Sequence, residues 1–112
     1  MTATYRDVEF LVTFLPTEHG GRSSGVVSGY RPQFYYRNHD WDAVYAFDKE
    51  PVPLGRQVRA YLAFLSPQEH DGHLTPGVPF LVREGQKVVG YGVVTQLLEL
   101  SKSAARVRAA GV

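Results

Sequence analysis

Two short segments concentrate the side chains that could do chemistry. Glu69-His70-Asp71-Gly72-His73 brings two imidazoles and two carboxylates within five residues, ligand types suited to zinc or nickel. A loop does not fix coordination geometry by itself, so the segment reads as solvated, with His70, Asp71 and His73 only as weak metal candidates and no metal expected. His39-Asp40-Trp41-Asp42 sets a histidine beside a carboxylate, as acid-base work requires. Neighbours on a strand point to opposite faces, however, and no serine sits in a nucleophile motif. The chain has no cysteine, which excludes thiol chemistry and cysteine-zinc sites. No GxxxxGK[ST] phosphate loop occurs. These residues therefore predict a non-enzymatic protein with no cofactor and no bound nucleotide.

Binding is the better fit to the remaining residues. Trp41 suits an interface anchor, or else a partly buried plug at the end of a barrel. Arg31 and Arg37 interleave with Tyr35 and Tyr36 in the manner of single-stranded nucleic-acid platforms. Lys102, Arg106 and Arg108 form a weakly basic tail.

What must position these groups is mostly strand. The 112 residues, 44% hydrophobic and 21% charged, make one domain of ordinary globular composition. A formal charge of +1 names no partner. Met1 to Asp7 lacks the features of a signal peptide, and no apolar run nears the roughly 20 residues that span a bilayer, so a soluble, cytoplasmic protein with no membrane partner is expected. Val8, Phe10, Val12 and Phe14 alternate along a strand. Strand patterning returns at Tyr30 to Arg37, Ala43 to Phe47, Gln57 to Leu65, Phe80 to Arg83 and Lys87 to Leu100. Glu84-Gly85-Gln86 marks a hairpin turn, and Gly90 and Gly92 mark bulges or bends. Segments 16–24 and 66–79 read as loops. The resulting division is a lead-in over 1–7, an all-β barrel over 8–100, and a flexible or weakly helical tail over 101–112 that needs docking to be stable.

One set of motifs goes further. Gly20-Gly-Arg22, Gly29-Tyr-Arg-Pro-Gln-Phe-Tyr-Tyr-Arg37, Leu54-Gly55, Arg83-Glu-Gly85 and Val88-Val-Gly-Tyr-Gly-Val-Val94 occur in that order. Together, from about Val8 to Leu98, they resemble the C-terminal β-barrel, domain III, of bacterial elongation factor Tu. The resemblance implies a small closed six-stranded antiparallel Greek-key barrel that packs on a GTPase domain, contacts the T-stem of aminoacyl-tRNA and meets the nucleotide exchange factor. Arg22, Gln33, Glu84 and Gly85 stand at positions resembling T-stem contacts, and Arg37 and Trp41 join them as partner-binding candidates. Asp42 replaces a usual threonine and Ser66 a frequent lysine, changes that weaken phosphate contact. The 67–79 loop is longer than in the family. The expected function is a translation-related module without GTPase activity that binds tRNA or protein, with homo-oligomerisation possible through apolar surface near Gln33, Glu84 and Gln86. The alternative is a barrel reused to bind a small ligand or metal through the 67–79 loop.

Overall fold

The structure, a computed structural model, describes residues 6–16 and 25–111. Its strands are β1 (Val8–Phe14), β2 (Gln33–Tyr36), β3 (His39–Trp41), β4 (Ala43–Ala46), β5 (Gln57–Phe64), β6 (Pro79–Glu84) and β7 (Lys87–Leu97), followed by the helix α1 (Leu100–Ala110). All pairings are antiparallel, in the order β3-β2-β6-β7-β1-β5-β4. The sheet curls into a half-barrel. Its two ends, β3 and β4, are consecutive in the chain and separated by Asp42 alone. Covalent chain, and no β-ladder, joins these two ends, while Gly29 N–H donates to Tyr45 O and Tyr45 N–H donates to Tyr30 O, tying the segment before β2 to β4. Seven strands appear where six were expected because the chain changes neighbours at Asp42, pairing with β2 before it and with β5 after it.

The alternating residues of β1 bury Val8, Phe10, Val12 and Phe14. They meet Ala60, Leu62 and Phe64 of β5, and Phe80 and Val82 of β6, in one core. Aromatic rings fill its centre, with Phe34 stacked on Phe80 at 4.3 Å and Phe10 edge-on to Phe80 at 5.1 Å. Such rings contribute large buried area and specific packing geometry together.

Three local expectations are corrected. The strand placed over Tyr30 to Arg37 is shorter, because Arg37 and Asn38 turn the chain with φ of 54° and 59°, the two-residue geometry that matches strand twist. The register of β7 slips near Val89 and again near Thr95 rather than at the glycines. Gly90 and Gly92 serve close approach instead: a Cβ on Gly92 would lie 2.3 Å from Leu11 O and 2.7 Å from Phe80 Cζ. Finally, β7 stops at Leu97 and the chain becomes helix at Leu100.

The segment after Leu100 gains its helix by docking, the condition a short helix requires. Leu100, Ser103 and Ala104 are buried. Asp7, itself buried, accepts from Phe64 N–H at 2.9 Å and from Ser103 Oγ–H at 2.5 Å. One carboxylate thus pins β5 and α1 to the start of β1. Desolvation raises the Asp7 pKa above its ordinary value, opposed by the Ser103 and Phe64 hydrogen bonds.

Candidate functional site

Where β2 begins, β6 ends and β7 starts, the structure opens a groove of about 300 Å3. Gly85 shapes its rim with φ of 61°, a left-handed conformation that lets β6 turn into β7 within two residues. Gln33 pairs with Arg83 across the β2–β6 ladder. The lining includes Tyr30, Arg31, Gln33, Arg83, Glu84 and Gly85. Three of the sequence candidates, Gln33, Glu84 and Gly85, are thereby brought together.

The polar atoms of this groove are held in place. Tyr30 Oη–H donates to Glu84 Oε2 at 2.5 Å. The Gln33 side-chain amide donates to Asp42 Oδ1 at 2.8 Å. The guanidinium of Arg83 lies 4.5 Å over the Tyr35 ring, and its Nε is 3.4 Å from Asp40 Oδ1. Arg83 is thus fixed by stacking and by charge, which lowers the entropy lost when a ligand meets it. Tyr30 and Arg83 are site residues that a reading of residue types passed over. Their signal lay in register, since the residue opposite Gln33 shares its edge of the sheet.

The other candidates fall elsewhere. Arg37 sits exposed in the β2–β3 turn, on the opposite end of β2 from the groove. Arg22 lies outside the described residues. Trp41 is half-buried against the core. Its ring stands edge-on to His70 at 4.5 Å and lies 4.4 Å from His39.

The 67–79 loop is not the solvated segment expected. His70 is fully buried, stacked on Phe64 at 3.8 Å, with Nδ1 at 2.6 Å from Tyr36 Oη. Burial, followed by the nearby His73, Arg37 and His39, lowers the His70 pKa to about 4. Asp71 is drawn the other way, accepting from Ser101 Oγ–H at 2.9 Å and pairing with Arg108 at 3.1 Å. These hydrogen bonds lower its pKa. His73 is exposed. The three metal candidates are therefore divided between core, helix clasp and surface, and among the described residues no three His, Cys, Asp or Glu side chains converge on one point. Two of the loop's acid-base residues, His70 and Asp71, serve packing and the attachment of α1, roles that leave no signal in local spacing.

An antiparallel half-barrel whose strand ends frame a fixed polar groove defines the class of protein: a small, curled all-antiparallel β domain. The family described as elongation factor Tu C-terminal domain matches residues 2–98, and the chain belongs to it. That membership associates the chain with translation. The helix α1 lies beyond the matched region. Among the described residues no helix is long and apolar enough to cross a membrane.

Proposed function

We propose that this chain is a non-enzymatic interaction barrel of the translation apparatus, whose contact surface is the groove between the start of β2 and the β6–β7 turn. The observation that carries this reading is the convergence of Gln33, Glu84 and Gly85, three positions resembling tRNA T-stem contacts, beside Arg31 and an immobilised Arg83. Cations and amide donors suit phosphate and ribose oxygens, and two acceptors, Glu84 and the Gly85 carbonyl, suit the ribose 2′-hydroxyl.

Asp42 tunes that surface. It occupies an amide hydrogen that Gln33 would otherwise offer to RNA and adds an anion where phosphates would approach. Binding to RNA is accordingly weak and salt-sensitive. Fluorescence-anisotropy titration of labelled aminoacyl-tRNA, with wild type and Arg83→Ala at two salt concentrations, tests the reading. Wild type should bind, weaken with salt, and lose affinity in the variant. Equal binding by both proteins, or none at low salt together with no translation factor recovered by the immobilised chain, would refute it.

The use of the 67–79 loop as a metal or small-ligand site gains nothing from the geometry, because His70 is core and Asp71 is engaged by α1.

A further inference from the structure

A cavity of about 590 Å3, half-enclosed, lies at the start of β5. That is the size range of sites for small organic ligands. Its lining combines apolar surface from Phe47, Val52 and Val58 and two prolines with the cations Lys49, Arg56 and Arg59.

The charges at this cavity do not balance. Asp48 is the one acid in the lining, and its carboxylate is taken by Arg6 at 3.0 Å. Glu50, next to it in the chain, is turned onto the backbone N–H of Ser28. Arg59 comes no closer than 3.8 Å to Glu9, whose carboxylate also accepts from Thr95 Oγ–H at 2.8 Å. Lys49 and Arg56 make no hydrogen bond or ion pair among the described residues. Among the described residues, three cations therefore border one hollow beside a single lining acid, and two of them, Lys49 and Arg56, have no anion paired to them. Gathering like charges beside apolar walls costs energy that an anion in the hollow would return, and the low-polarity walls strengthen that attraction over its value in open water.

We infer that this cavity is a binding site for a phosphate group carried on an organic ligand of about mononucleotide size. The two arginines can each grip a phosphate through paired N–H donors, and Lys49 adds a point charge on a flexible stem. The apolar walls receive the organic part. The site is separate in residues from the groove of Gln33 and Glu84, sharing none of its lining. It therefore stands whether or not the groove binds tRNA.

The test is an amide-correlation NMR titration of the full chain with inorganic phosphate, adenosine monophosphate and a single-stranded RNA hexamer lacking a terminal phosphate. It is repeated on Lys49→Ala/Arg56→Ala, whose replaced side chains are exposed and leave the core intact. Wild-type resonances over 47–59 should move with phosphate and further with the mononucleotide. Affinity should fall about tenfold for each cation removed. Movement with the mononucleotide assigns the natural source to a free organic phosphate, whereas movement with the hexamer at concentrations where the mononucleotide gives none assigns it to an RNA backbone. No movement over 47–59 with any probe, or movement that persists unchanged in the double variant, overturns the site. The variant's unchanged remaining spectrum separates loss of the site from loss of the fold.

Discussion

Acid should loosen this protein through one imidazole. His70 is fully buried between Phe64, Trp41 and Tyr36, with His73, Arg37 and His39 close enough to oppose a further positive charge. Its pKa falls from 6.5 to about 4, so the folded chain keeps it neutral while the unfolded chain protonates it. Between those values the unfolded state binds more protons, and stability falls as pH drops from about 6.5 towards 4, then levels off. At roughly 1.4 kcal/mol per pH unit, the span is worth at most about 3 kcal/mol. Asp7 works in the opposite sense: its raised pKa means that the folded state holds the proton longer, so its contribution declines as pH rises above the ordinary carboxylate value. The His70 effect is therefore read as a difference. Urea unfolding of wild type and His70→Gln, followed by far-ultraviolet circular dichroism at several pH values from 7 to 4, should give a steep loss for wild type. The glutamine variant should show a loss smaller by about 2–3 kcal/mol. Identical pH profiles for the two proteins would refute the assignment of the imidazole as the titrating group.

Other outcomes follow from single contacts. Gly92→Ala places a methyl against Leu11 O and Phe80, and should cost about 3 kcal/mol or more in denaturant unfolding. Asp7→Ala strands the Phe64 N–H and the Ser103 hydroxyl in the interior. It should cost about 2–4 kcal/mol in the same assay and lower helical ellipticity as α1 undocks. Asp42→Thr frees the Gln33 amide and removes an anion, so tRNA affinity should rise about tenfold at low salt in anisotropy titrations, with a smaller gain at high salt.

Much of this architecture is written in the sequence, and the reasons are local. Strict alternation at Val8 to Phe14 can bury only one face of a strand, and Glu84-Gly85-Gln86 permits only a tight return. The Gly29 to Arg37 motif carried the family, which the match over 2–98 established. Of the groove, Gln33, Glu84 and Gly85 were legible as positions in motifs, while Tyr30 and Arg83 joined them through register and stacking. Pairing partners dozens of residues apart leave no trace in local spacing.

The feature that first suggested chemistry, the histidine-rich loop, was settled only by tertiary structure. Residue types made His70, Asp71 and His73 a plausible ligand set, since sequence records what a side chain can coordinate and not what surrounds it. The fold stacked His70 on Phe64 and gave Asp71 to Ser101 and Arg108. Composition likewise allowed α1, but a helix this short forms because Asp7, at the far end of the chain, supplies its anchor. Sequence determined the strands, the turns and the family. Burial and long-range partners, which exist only once the sheet has curled, decided which polar groups remain free to bind.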